Sequence, residues 1–320
     1  MKGFISPLRV SFVGGGTDMP FYYRKHKGEV VTTAINKYTW VFINKWQNKN
    51  LLLKYSKSEL VNDKRKIKHR LIKEIMKKYN FKGLDINFIA DLPNRAGLGS
   101  SSSFTIALLG ALEKFKGKKL NKKKLAEMAC DIEIKKLGDP IGKQDQYISA
   151  FGGLSHIIFK KNNVSVKKIN IKKKNFLNFE KSVSLINTGI FRSANKVLKK
   201  QSKKSKKNEY IYHEIRNLVS KFLLALKKGN IKECGKILKK NWELKKKLDA
   251  SVYLKKFQKI ENKLDKIGVY GYKLLGAGSG GYYCILSNQK QKKKLKKIFK
   301  KKFLDIKFDS LGAREVKISI

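Results

Sequence analysis

The chain has 320 residues with 41% hydrophobic and 11% aromatic content, enough to bury the core of one large domain or two ordinary ones. Its net charge of +51 and pI of about 10.2 would by themselves point to nucleic acid or an anionic membrane. Only eight of the 75 basic residues are Arg, however, and lysines run along the whole chain, a pattern that compositional bias can also produce, so a dedicated nucleic-acid role is disfavoured, although a basic surface would still attract anionic small substrates. No run of about 18 apolar residues predicts a membrane span, and the N-terminal apolar run is too short for a signal peptide. Cys130, Cys234 and Cys284 lie too far apart for a disulfide framework or a zinc site, so a cytoplasmic setting is expected.

Residues 4–13 read as a strand kinked at Pro7 that runs into Gly14-Gly15-Gly16-Thr17-Asp18. Three glycines in a row let the backbone approach a ligand, and they would equally serve a hairpin turn. Residues 30–44 are β-branched and aromatic and predict a strand or hairpin, and 51–55 predict another strand. Over 59–79 a helix is expected, with Ile67, Leu71, Ile72, Ile75 and Met76 at helical spacing. Residues 83–91 alternate as a strand. They lead to Gly97-Leu98-Gly99-Ser100-Ser101-Ser102-Ser103 and then to an apolar helical run over 104–115.

Strand, small-residue loop, helix is an order suited to phosphate. The first amides of a helix have no partner within it, and the helix dipole places partial positive charge there. The serine hydroxyls can cap the helix, touch phosphate oxygens or coordinate a metal ion. A Gly/Ser turn with a serine cap is the plain alternative. No Lys-Ser or Lys-Thr follows the last glycine, nor does Ser or Thr follow Gly142-Lys143 or Gly235-Lys236, so none of these is a Walker loop.

Asn121 caps an expected helix over 122–137, which Gly138-Asp139-Pro140 ends. Asp145-Gln146 then open a short helix, where a carboxylate is either a cap or a working group. Two strands are expected over 155–171, a turn over 176–180, and a strand over 182–189 that opens a second domain. Arg192-Ser193 begin the next helix; they could hold a phosphate at its N-terminus or be an exposed Arg beside a serine cap. Helices follow at Val197 and over 210–228, 231–248 and 252–266, with the lysine-rich 199–207 as a solvated loop. Residues 270–287 read as strand, glycine loop, strand. The loop Gly276-Ala277-Gly278-Ser279-Gly280-Gly281 holds more small residues than a tight hairpin needs. A helix over 289–302 and a strand over 314–319 end the chain. His26, His69, His156 and His213 show no ligand spacing, and no internal repeat is present.

Three of these segments, in this order, resemble the motifs of the GHMP kinases (galacto-, homoserine, mevalonate and phosphomevalonate kinases). The stretch from Pro7 and Arg9 to Asp18 resembles the first motif. Pro93 with Gly97-Leu98-Gly99-Ser100-Ser101 resembles the ATP loop, whose usual form is Pro-x-x-x-Gly-Leu-Gly-Ser-Ser. The loop at Gly276–Gly281 resembles the third, Gly-Ala-Gly-x-Gly-Gly. Gly142-Lys143-Gln144-Asp145-Gln146, followed by Gly152-Gly153, is similar to the segment that supplies the family's catalytic acid.

The resemblance implies an α+β fold of two domains. Residues 1–180 would carry a mixed sheet with a left-handed-type βαβ unit at the ATP loop, and 181–320 a ferredoxin-like domain. It implies an ATP-dependent kinase in which Gly97, Leu98, Gly99, Ser100, Ser101, Ser102 and Gly278 hold the nucleotide and Ser101 with Glu133 binds Mg2+. Asp145 would take the acceptor's proton and Arg9 would stabilise developing charge. Gly15, Gly16, Thr17 and Asp18 would line the sugar site, with Arg192 for a sugar's own phosphate. Galactokinases carry Glu-His where this chain has Gly15-Gly16, which disfavours galactose. The Gly-Gly-Gly-Thr-Asp and Gly-Lys-Gln-Asp-Gln wordings are similar to those of the D-glycero-D-manno-heptose 7-phosphate kinases. The expected reaction is therefore phosphorylation of that sugar phosphate at its anomeric hydroxyl, giving the 1,7-bisphosphate for nucleotide-activated heptose and surface polysaccharide. The expected partner is a small sugar phosphate, with no membrane and with a homodimer left open. A fucokinase, a mevalonate-type kinase and a non-catalytic basic protein that binds nucleic acid are the alternatives.

Overall fold

The first strand, β1 (Lys2–Val13), is buried from Gly3 onward, and its register slips at Pro7, which has no amide hydrogen for the ladder. The structure, a computed structural model, describes residues 1–94, 96–191 and 194–316. A one-turn helix, α1 (Pro20–Tyr23), leads into β2 (Gly28–Lys45), a single 18-residue strand where the sequence also allowed a hairpin. β3 (Leu51–Lys54) and β4 (Ser58–Val61) form a hairpin. The helix expected over 59–79 is thereby confined to α2 (Arg70–Met76). Glu59 accepts hydrogen bonds from the Tyr55 hydroxyl and from the amides of Lys68 and His69, which ties the residues before α2 into a connection.

β5 (Leu84–Ala90) precedes α3 (Ser100–Phe115). α4 (Lys122–Cys130) is capped by Asn121 as expected, but its continuation over Asp131–Lys136 is a π-helical turn rather than α-helix. α5 (Gln144–Phe151), β6 (Leu154–Phe159) and β7 (Val164–Lys168) follow. α6 (Lys173–Ser182) stands where a turn was expected. Phe176 and Phe179, one helical turn apart, both pack against Phe308, and Phe179 also meets Phe12, so tertiary burial outweighs a weak local helix signal.

β8 (Val183–Asn187) opens a second sheet, followed by α7 (Ala194–Lys203), α8 (Glu209–Lys227) and α9 (Ile231–Lys247). α7 takes up the first half of the lysine-rich stretch expected as a loop. The helix expected over 252–266 is α10 (Gln258–Ile267), preceded by short 3-10 turns. β9 (Gly271–Leu274), β10 (Tyr282–Leu286), α11 (Gln289–Phe299) and β11 (Phe303–Asp305) complete this half, the last a three-residue strand without a sequence signal. β12 (Arg314–Val316) covers the start of the final expected strand; the rest of it lies outside the described residues.

The first sheet has eight strands in the order β12-β1-β2-β5-β3-β4, with β6 on β2 and β7 on β6. Its β3/β5 pair is parallel and the other recorded pairs antiparallel, so the sheet is mixed. The second sheet, β11-β8-β10-β9, is antiparallel and matches the expected ferredoxin-like order. One hydrophobic core lies between the first sheet and α2 to α5. Another joins the two halves, with Val10 and Phe12 of β1 packed among Phe179, Phe222, Leu238 and Cys284.

Candidate active site

Gly99, in the left-handed region at φ 74°, is the N-cap of α3, so all four serines lie inside the helix rather than before it. None supplies a side-chain cap. Ser103 instead donates to the Ser6 carbonyl at 2.8 Å and pins α3 to β1. Ser101 donates to Glu133 Oε1 at 3.1 Å.

The loop before α3 is held by two partners. The Arg9 amide donates to the Leu98 carbonyl at 2.9 Å. The third glycine loop presses on it from the other side. A Cβ at Gly276 would lie 2.7 Å from Gly97 Cα, and one at Gly281 would lie 2.2 Å from the Ala96 carbonyl oxygen. The two glycine loops thus pack backbone to backbone, which only residues without a side chain allow.

Arg9 and Asp145 meet directly. Arg9 Nε and Nη2 donate to the two carboxylate oxygens of Asp145 at 2.7 and 2.6 Å, and Nη1 donates to the Gly97 carbonyl at 2.6 Å. Asp145 sits in the first turn of α5 but makes no capping bond there; its carboxylate is taken by the guanidinium. Gln144 supports it, donating to Asp145 Oδ1 at 3.1 Å while accepting from Ser11 Oγ at 2.8 Å.

Asp18 closes the other side. Its carboxylate accepts from the Gly16 amide at 2.9 Å and the Gln144 amide at 3.2 Å, joining the first glycine loop to the start of α5. Burial, and next the charge of Asp145, push its carboxyl above the usual range.

Glu133 lies in the π-helical turn and is fully buried. Besides Ser101, it accepts from Gln146 Nε2 at 2.7 Å. Burial pushes its carboxyl up to about 7, the mark of a carboxylate without a counter-charge. An oxygen pair of this kind, Glu133 with Ser101, fits a hard divalent cation such as Mg2+.

These groups surround a cavity of about 500 Å3. Arg9, Asp18 and Asp145 line it, with Gly15 and Gly16 beside the first loop and Gly97, Gly99, Ser100, Ser101 and Ser102 at the second. Other motif residues lie behind the lining. Leu98 is core, and Thr17 spends its hydroxyl on the Gly14 and Glu29 backbone. Gly278 backs onto Val252, so from the third loop it is Gly276 and Ala277 that face the cavity. Glu133 reaches the site through Ser101. Arg192 and Ser193 lie outside the described residues.

The sequence reading missed several lining residues. Tyr55, His69 and Phe104 form an aromatic end of the cavity, with His69 and Phe104 stacked at 5.5 Å. Lys245 and Lys273 enter from the second half. A signal for Lys245 existed: it recurs with Leu238, Asn241 and Trp242 on the buried face of α9, an odd place for a lysine. Away from the cavity, His26, Glu209 and His213 come together, their ligand atoms all within 4.8 Å of one another, although nothing in their spacing announced it.

Residues 66–153 match the family model of the GHMP kinases N terminal domain, and residues 222–305 match that of the GHMP kinases C terminal. The D-glycero-alpha-D-manno-heptose 7-phosphate kinase of Campylobacter jejuni is 27% identical over 336 residues, spanning 98% of this chain and 98% of that protein. The galactokinase of Pyrococcus furiosus is 28% identical over 318 residues, 86% of each chain. Among solved structures, a D-glycero-D-manno-heptose 1-phosphate kinase from Bacteroides thetaiotaomicron superposes with a TM-score of 0.82 at 23% identity over 100% of both chains, a likeness of fold. No helix among the described residues is long and apolar enough to cross a membrane. With both family domains matched and both sheets in place, the chain belongs to the GHMP kinases and is an ATP-dependent phosphotransferase with an alcohol group as acceptor.

Proposed function

We propose that the chain transfers the terminal phosphoryl group of ATP to the anomeric hydroxyl of D-glycero-D-manno-heptose 7-phosphate. The observation that carries this reading is the Arg9–Asp145 pair, set between the amides at the start of α3 and the Asp18 loop. The loop Gly97-Leu98-Gly99 and the hydroxyls of Ser100, Ser101 and Ser102 receive the ATP phosphates, where the helix N-terminus favours negative charge. The aromatic end at Tyr55, His69 and Phe104 suits the face of a purine. Ser101 and Glu133 would hold Mg2+, which would supply positive charge to offset that of the phosphates.

Asp145 accepts the proton of the attacking hydroxyl as its oxygen bonds to phosphorus and the bond to the ADP oxygen breaks. Arg9, already oriented by Asp145 and the Gly97 carbonyl, keeps positive charge beside the moving phosphoryl group. Gly15, Gly16 and Asp18 face the sugar, and Asp18, held by two amides, fixes which hydroxyl approaches. The choice of a heptose phosphate rests on the 27% identity along nearly the whole chain to the Campylobacter jejuni enzyme and on the glycines at positions 15 and 16.

The test is ADP release across hexoses, heptoses and their phosphates, with the product examined by phosphorus NMR. Turnover fastest with heptose 7-phosphate and a new anomeric phosphate are the expected results. Faster turnover with a free hexose or with mevalonate would replace this acceptor by another.

A further inference from the structure

Lys245 reaches the cavity from α9 and is only 7% exposed, while Lys247, two residues on, is exposed. An ammonium carries three N–H donors. One is spent on the Gly276 carbonyl, and no carboxylate pairs with Lys245 among the described residues. Burying an ammonium without a counter-ion is costly, and an apolar side chain on this helix face would avoid that cost. The charge is retained in a pocket that a triphosphate and its acceptor enter, with two donors unspent.

The neighbouring cations do not fill the same place. Arg9 faces Asp145 with two of its nitrogens, so its charge is balanced before any ligand arrives. Lys273 gives two hydrogens to the Ser11 and Phe12 carbonyls at 3.0 and 2.7 Å and braces β1. The charged groups facing Lys245 are Arg9 of β1, Asp18 of the following loop, Asp145 of α5 and Lys273 of β9. Both carboxylates are occupied, Asp145 by Arg9 and Asp18 by the Gly16 and Gln144 amides. Three cations face two carboxylates in this cluster, which leaves an excess of positive charge to meet an oxygen of an incoming phosphate.

We propose that Lys245 is the phosphoryl-binding cation of this cavity, its ammonium taking an oxygen of a phosphate dianion. That dianion is the terminal phosphate of the nucleotide or the ester phosphate of the acceptor. The location of the anion rests on the kinase reading above; the need for an anion rests on the buried, unpaired charge. Burial, and next the nearby Arg9, hold the ammonium down to about 8. It is charged below that pH, so anion affinity is full there and falls as pH rises past it.

Calorimetric titration of the wild-type chain and of Lys245→Met with AMP-PNP, ADP and heptose 7-phosphate, at pH 7 and pH 9, tests this. At pH 7 the variant is expected to lose at least tenfold in affinity for AMP-PNP or for the sugar phosphate, with ADP unaffected. A loss confined to AMP-PNP assigns the terminal phosphate; a loss confined to the sugar phosphate assigns the ester. Wild-type affinity for that ligand falls between pH 7 and pH 9, and the variant's does not follow it. Unchanged affinities for all three ligands in a folded variant overturn the proposal. If Lys245→Met fails to fold, Lys245→Gln makes the same comparison, since it can keep a donor for the Gly276 carbonyl without the charge. Binding is read without turnover, so a chain that binds AMP-PNP yet phosphorylates no heptose phosphate refutes the acceptor and leaves the role of Lys245 decided by the AMP-PNP arm.

Discussion

Both carboxylate oxygens of Asp145 accept from the Arg9 guanidinium, Oδ1 from Gln144 as well, and the carboxylate lines the cavity. In Asp145→Asn one oxygen becomes a donor that faces an Arg9 N–H. The turnover rate is expected to fall by about 10²–10⁴, the usual contribution of a positioned base. Far-UV circular dichroism should stay as in the wild type, with a lower melting temperature because Arg9 loses its anion. ADP release near the wild-type rate would remove Asp145 from the reaction. Arg9, Asp18 and Asp145 were legible from motif wording, and each lines the cavity. Thr17, Leu98 and Gly278 belong to the same wordings yet face the protein, because a motif preserves the residues that shape a loop along with those that touch a ligand.

The glycine loops are explained at the level of elements. The third loop is richer in glycine than its hairpin turn requires, and the surplus is absorbed by contact with the loop before α3. Gly281 has φ +95° and no room for a Cβ beside the Ala96 carbonyl. Gly281→Ala should cost about 1–3 kcal/mol for backbone strain alone, and it should raise the KM for ATP by displacing Gly97. Gly117, at φ +76° with open space around its Cα, is the control: an alanine there should lower the melting temperature less and leave the KM unchanged. Equal effects of the two substitutions in a melting and ADP-release comparison would contradict the packing argument. β1, α3 and the strands around the third loop form where their strong local patterns predict. The failures share a cause. The helix at 59–79 was cut short by a hairpin and by Glu59, and α6 was missed because its support comes from Phe12 and Phe308, far away in sequence.

Across the whole molecule the two sheets are welded by a common core. Phe12 is fully buried, its ring centroid 5.0 Å from that of Phe179 and 5.7 Å from that of Phe222. Phe12→Ala should cost about 3–5 kcal/mol, read as a lowered denaturation midpoint. Because β1 also carries Arg9, activity should be lost at a lower denaturant concentration than in the wild type; an unmoved midpoint would mean that the halves are stabilised separately. We propose the domain division at 180/181, which follows the two sheets, with β12 returning from the second half to pair with β1.

The sequence by itself determined the strand and helix periodicities, the glycine loops and their order, and through them the kinase family. These are local matters, since a positive φ, a cap or an alternating face is written in a few adjacent residues. Only the tertiary structure decided that Arg9 meets Asp145 across 136 positions, that Glu133 is buried under Ser101, and that Lys245 is shut in with a carbonyl but no carboxylate partner among the described residues. Burial and charge pairing are set by segments distant in the chain, so the same lysine reads alike in solvent or at the reacting centre until the fold is formed.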